Sequence, residues 1–165
     1  DGENSCSVLG FNHDIKDIVN PNTDGSYKIT EGDRVINTKN DAEHDVWNGT
    51  TGRCRDFDTA GAMWVDLDFP KSDGSKEVLI PKENVKNWQL AYALTVHKSQ
   101  GSQYRKVFFV VSKRASMNLL SRPMVYTAVT RAKRECQIIG DSQAFFRAIG
   151  TVDHKMTVIQ ELAKA

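Results

Sequence analysis

Two apolar blocks, residues 107–111 and 136–139, with a proline-started segment between them, constrain the fold of this chain more than any other feature. An unbroken apolar run of five residues is too short for an ordinary helix and lacks the alternation of a strand with one wet face. It reads as a strand covered on both sides. Pro123 suits the first turn of a helix, which the pattern carries to about Arg134. Strand, helix, strand with buried strands implies an α/β unit, and the helical crossover makes its sheet parallel. Asp141 or Ser142 is placed to cap a further helix ending at Gly150, and a last amphipathic helix carries Met156, Ile159 and Leu162.

Residues 29–88 have another texture. Segments 34–38, 50–57, 62–69 and 78–80 read as short strands separated by turn chemistry, including the tight-turn signal Trp47-Asn48-Gly49. In the third of them Met63, Val65, Leu67 and Phe69 fall on one face, with Asp66 and Asp68 on the other. Four or five short strands in so small a span suggest a closed barrel, because an open sheet would leave its edges unprotected. Trp47 and Trp64 are expected in the barrel core, and Asn40, Asp41, Asn48 and Gly49 are expected to form turns. Residues 5–19 read as a helix with Leu9, Ile15, Ile18 and Val19 as its apolar set, ended by Asn20-Pro21. We expect that helix to belong to the α/β unit. The organisation is then a domain of residues 1–28 and 89–165 with the barrel, residues 29–88, inserted.

The chain has 165 residues, room for one domain of common size or a small one with an insertion. No apolar run approaches the ~20 residues of a membrane helix. The start, Asp1-Gly2-Glu3-Asn4-Ser5, is neither a signal peptide nor a natural initiator, so a piece of something longer is expected. Cys6, Cys54 and Cys136 are odd in number and form no CxxC pair. They argue against a zinc site or a disulfide scaffold, read as small buried hydrophobes, and suit a reducing cytoplasm. His13, His44, His97 and His154 have no ligand spacing, so no metal site is expected within the chain.

A net charge of +1 hides an asymmetry. Residues 1–94 hold 10 Lys and Arg against 17 Asp and Glu, whereas residues 95–135 hold 9 against the single acid Glu135. Such a local excess suits phosphates. Within it, the run Thr95-Val96-His97-Lys98-Ser99-Gln100-Gly101-Ser102-Gln103 follows an apolar stretch, offers several donors and contains no carboxylate, which suits an anionic ligand at a strand end. A second run, Val125-Tyr126-Thr127-Ala128-Val129-Thr130-Arg131-Ala132-Lys133, is helical by pattern. Val125, Val129 and Ala132 lie on its packing face, while Thr127 and Arg131 share another.

In this order and spacing, TVHKSQGSQY and VYTAVTRAK resemble motifs V and VI of superfamily 1 DNA helicases. The group resembled is the RecD-like one, related to the exodeoxyribonuclease V alpha chain. The run from Glu31 to Asp41, continuing through Val46 to Gly52, also resembles that group, where it opens an SH3-like barrel inserted in the second RecA-like domain. The resemblance implies an α/β fold with a RecA-like parallel sheet, and 5′-to-3′ ATP-dependent movement on single-stranded DNA. It implies that Arg131 is the catalytic arginine reaching the γ-phosphate of ATP, and that Thr95 and His97, assisted by Lys98 or Gln100, contact the DNA backbone. Gly101, Ser102 and Gln103 would face nucleotide, with Tyr126 and Thr127 in support. Many relatives carry Glu at the Gln103 position, and the amide makes a weaker hydrogen bond to ribose. No GxxxxGK[ST] occurs. The phosphate cradle and the Mg²⁺ ligands are therefore expected in another domain, and this chain alone is expected not to hydrolyse ATP. A nuclease or recombination partner is compatible with the resemblance. Two other settings are an SH3-like interaction module, and the helicase part of a conjugative relaxase or phage protein.

Overall fold

The structure, a computed structural model, describes residues 7–113 and 120–150. The expected last helix with Met156, Ile159 and Leu162 lies outside those residues, as does Cys6. The chain divides into two compact units, the first ending at Lys98 and the second beginning at Ser99. Among the described residues no helix is long and apolar enough to cross a membrane.

The first unit opens with α1 (Val8–Val19), capped by Ser7, whose hydroxyl accepts from the Gly10 amide at 3.0 Å. Strands β1 (Arg34–Asn37), β2 (Thr51–Phe57), β3 (Met63–Leu67) and β4 (Glu77–Ile80) follow, then the helical turn α2 (Lys82–Val85) and β5 (Trp88–Leu90). They form one antiparallel sheet in the order β4-β3-β2-β1-β5. Its core is Val35, Val46, Cys54, Met63, Val65, Leu67, Val78, Ile80 and Trp88. Gly52 is required by close approach: a Cβ there would lie 2.5 Å from the Asp66 carbonyl oxygen on the facing strand.

Several expectations change here. Among the described residues no ladder joins β4 to β5, so the strands do not close into a barrel. The edges are instead kept short, four residues in β4 and three in β5, with Pro81 directly after β4. Phe69 does not share the buried face of Met63, Val65 and Leu67, because β3 stops at Leu67; Phe69 is exposed. Trp47 is 51% exposed rather than core, and Trp64 is only partly covered, with the Arg55 guanidinium 5.0 Å from its ring centre. Helix α1 is turned over relative to its apolar pattern. Leu9, Ile18 and Val19 face solvent, and the buried residues are Asn12 and Lys16. Asn12, Lys16 and Asn20 recur every four residues and so make one stripe, of which Lys16 and Asn20 meet the buried Asp33.

The second unit contains β6 (Tyr104–Val111), α3 (Arg122–Val129), β7 (Ala132–Gly140) and α4 (Ser142–Gly150). Strands β6 and β7 pair in parallel, as the strand–helix–strand pattern requires. Phe109 and Val111 are buried, as are Val125 and Ala128 of α3 and Ala144 and Ala148 of α4. Phe108, Val110, Ile138 and Ile139 remain exposed, so among the described residues neither strand is covered on both faces. Helix α3 ends earlier than its pattern suggests. Thr130 closes it, its N–H donating to Tyr126 O, and β7 begins two residues later. Pro123 sits in the first turn, and Asp141 caps α4 by accepting from the Ala144 amide at 2.6 Å. Gly140 has φ +119°, and a Cβ there would lie 2.0 Å from Val111 O; no other residue fits between the two strands.

Candidate functional site

In the second unit the chain turns from α3 into β7 at Arg131, and three hydrogen bonds hold its guanidinium. Nε donates to Thr127 O at 3.1 Å, Nη1 to Ser102 O at 3.1 Å, and Nη2 to the Thr130 hydroxyl at 3.4 Å. The Arg131 carbonyl in turn accepts from the Tyr104 amide at 2.8 Å, which fixes the start of β6. The expected four-residue relation of Thr127 and Arg131 is thus realised as a bond to the helix's last carbonyls, although Arg131 itself lies past the helix end. A cation there also meets the negative end of the helix dipole. The Thr127 hydroxyl donates to Pro123 O at 2.8 Å, and Tyr126 is exposed. Gly101 has φ +81° in the turn that presents Ser102 and Gln103, and Gln100 and Gln103 are exposed.

In the first unit, residues 91–98 are irregular, and the strand preceding them is only Trp88–Leu90. Thr95 and Lys98 form one turn: the Lys98 amide donates to the Thr95 hydroxyl oxygen at 3.2 Å, and Lys98 Nζ reaches Gln89 Oε1 at 3.2 Å. Thr95, His97 and Lys98 are all exposed. Thr95 and Lys98 border a cleft of about 720 Å³ whose other walls include Leu9, the Tyr27 ring stacked on His13 at 3.6 Å, and Trp88.

The polar network behind this segment carried no local sequence signal. Asp33 Oδ2 accepts from Lys16 Nζ at 2.6 Å and the Thr30 amide at 2.8 Å, while Oδ1 accepts from Asn20 at 2.7 Å and the Tyr92 hydroxyl at 2.6 Å. Both side chains of the Lys16–Asp33 pair have 0% exposure. Burial alone would raise the Asp33 pKa, but the donors from Lys16, Tyr92, Thr30 and Asn20 prevail and hold it below the usual carboxylate value. Burial, reinforced by the bond to Asp33, pushes the Tyr92 hydroxyl up to about 12. The barrel-region residues expected as turn formers are such: Asn40 Oδ1 accepts from the Asn48 amide, Asp41 from the His44 amide, and Gly49 has φ +96°.

The arginine tied to a glycine-containing turn and the exposed Thr-x-His-Lys segment both lie within the stretch that matches a helicase family. Residues 90–139 match the family described as the UvrD-like helicase C-terminal domain. Over 82% of its length the chain is 38% identical to an ATP-dependent RecD2 DNA helicase of Deinococcus radiodurans, of which it covers 18%. Over 72% it is 31% identical to the RecBCD enzyme subunit RecD of Haemophilus influenzae, covering 16% of that protein. The chain is therefore similar to the RecD helicases, as its motifs imply, and it spans less than a fifth of the length of these relatives. Its mixed α/β fold is similar to that of a Pif1 helicase from Bacteroides solved with ADP-AlF3 and ssDNA. The TM-score is 0.54 at 20% identity, covering 83% of this chain and 34% of that one.

Proposed function

We propose that this chain is the C-terminal motor segment of an ATP-dependent, 5′-to-3′ DNA helicase. Residues 1–28 and 89–165 belong to its second RecA-like domain, with residues 29–88 as a module of short antiparallel strands set into it. The P-loop and Mg²⁺ ligands lie on the other RecA-like domain, so this segment alone hydrolyses no ATP. Thr95, His97, Lys98 and Gln100 grip the backbone of single-stranded DNA without regard to base, as a motor that must accept any sequence requires. The Thr95 hydroxyl oxygen accepts from Lys98 and keeps its own proton to give to a phosphate. Gly101, Ser102 and Gln103 face the nucleotide.

The observation that carries this reading is the bond from Arg131 to Ser102 O, which ties motif VI to motif V. Among the described residues three of the guanidinium's five N–H groups find partners, which leaves two for a phosphate oxygen. Thr127 supports it through its carbonyl, with Tyr126 beside it. The donors here are a cation, a hydroxyl and an amide, with no carboxylate, which fits the phosphate end of ATP and not its metal. Bound ATP supplies the phosphoanhydride to be cleaved; Arg131 supplies positive charge to the transferring group. In the full-length protein, Arg131→Ala is expected to lower DNA-stimulated ATPase by roughly 10³–10⁵-fold, with single-strand affinity kept. Near-normal ATPase in that variant removes Arg131 from this role.

Exposed Trp47 and Phe69 favour a second reading, an apolar partner surface on the 29–88 module. Binding through such a surface would tolerate salt, whereas binding to phosphates falls steeply with it.

A further inference from the structure

The segment that leads into Thr95 is held at three successive residues, by backbone at Ala91 and Ala93 and by side chain at Tyr92. The Ala91 amide donates to Arg34 O at 2.8 Å, extending the β1–β5 ladder by one step. The Tyr92 hydroxyl donates to Asp33 at 2.6 Å. At Ala93 the attachment is of another kind. The Asn12 carboxamide, 4% exposed, donates from Nδ2 to Ala93 O at 2.9 Å and accepts at Oδ1 from Ala93 N at 3.0 Å. This is the paired exchange that two residues make across an antiparallel ladder, made here by a side chain 81 positions away. The second Nδ2 proton goes to Val8 O at 2.8 Å, so the amide is used on both donors and anchored to its own helix. A buried amide with every group engaged holds one rotamer and one orientation, because each alternative leaves a polar atom unpaired.

We infer that Asn12 is a positioning residue for the DNA-gripping segment: it fixes the Ala93 peptide and so sets where Thr95, His97 and Lys98 stand. The inference rests on the reading of those residues as a single-strand grip. It also explains why α1 turns a polar stripe inward and leaves Leu9, Ile18 and Val19 outside. Of the stripe's three members Asn12 holds the Ala93 backbone directly, while Lys16 and Asn20 orient Asp33, which accepts from the Tyr92 hydroxyl.

The test uses the full-length protein and a fluorescein-labelled oligothymidylate, with anisotropy titrations at several salt concentrations. Asn12→Ala is expected to weaken binding and to flatten the slope of log K against log salt by about 0.7, the loss of one single-strand phosphate contact. Lys98→Ala is expected to do the same, because it removes the segment's cation, and the double variant to add nothing further. Ser7→Ala removes the N-cap of the same helix without touching Ala93, and should leave the slope unchanged. Where Asn12→Ala costs helical signal in circular dichroism, Asn12→Asp carries the test. It retains the acceptor for Ala93 N, loses the donor to Ala93 O, and is expected to give an intermediate slope. An unchanged slope in the Asn12 variants, with Lys98→Ala still flattening it, overturns the inference and leaves the grip standing. Unchanged binding in Thr95→Ala and His97→Ala overturns the grip, and the inference with it.

Discussion

In the unit that ends at Lys98, cations sit against carboxylates: Lys16 on Asp33, Arg34 on Asp68, Arg55 on Asp66 and Glu77. In the unit that begins at Ser99, Arg105, Lys133 and Arg134 are exposed, and no described carboxylate lies within ion-pair distance of them. Lys106 shares Glu135, and Lys113 shares Asp141. The first unit also encloses an apolar core whose central residues Val35, Cys54, Met63, Val65 and Ile80 have no exposure, while the second leaves Phe108, Val110, Ile138 and Ile139 outside. A nearly neutral chain can thus present a strongly basic half, because most of its acids lie in the other half. Net charge is a poor guide to ligand class when opposite charges are segregated into separate units.

The largest effect expected from that contrast is at the buried ion pair. Asp33→Ala leaves the Lys16 ammonium buried without its partner and strips Tyr92 and Asn20 of their acceptor. The first unit should lose roughly 3–5 kcal/mol. Hydrogen exchange followed amide by amide reads this directly. Protection is expected to fall in β1, β2 and β5 and to hold in β6 and β7. Equal loss in both would mean that the two units unfold together and that the contrast has no energetic meaning.

Next in size is Gly140→Ala, which acts on the other side. A Cβ 2.0 Å from Val111 O, at φ +119°, forces the parallel pair apart, and a cost above about 2 kcal/mol is expected from backbone strain with overpacking. Here β6 and β7 should lose protection while the antiparallel sheet keeps it. Gly52→Ala is the reciprocal change, since its Cβ would meet Asp66 O at 2.5 Å.

The same contrast accounts for what could be read from the sequence. Hydrophobic periodicity located β1 to β4, the parallel β6–β7 pair and helices α3 and α4, because each is specified by residues close in sequence. The arginine and the turn it holds were legible as motifs. What periodicity misread is α1: its apolar residues drew the helix face one way, and a buried aspartate contributed by a loop 17 positions after Lys16 drew it the other. A side-chain amide that completes a backbone pair 81 residues away leaves no periodic trace at all. Barrel closure failed for a related reason. Alternation specifies which face of a strand is buried and says nothing of whether the two edge strands meet.

The smallest effect expected is on acid stability, and its sign follows from the carboxylates of the first unit. Burial would raise the Asp33 pKa, but the bonds from Lys16, Tyr92, Thr30 and Asn20 lower it overall. For Asp68 the leading cause is the Arg34 guanidinium, which donates at 2.5 and 2.8 Å and outweighs burial. A carboxylate whose folded pKa lies below its unfolded value near 4 gives stability that is complete above that value. That stability is lost as pH falls through the folded value. Urea midpoints of the first unit are therefore expected to be level between pH 7 and 5 and to decline below pH 4. Asp68→Asn should reduce that slope without abolishing it, since Asp33 still titrates. A midpoint for the first unit that is flat down to pH 2 would mean that its ion pairs give no net stability.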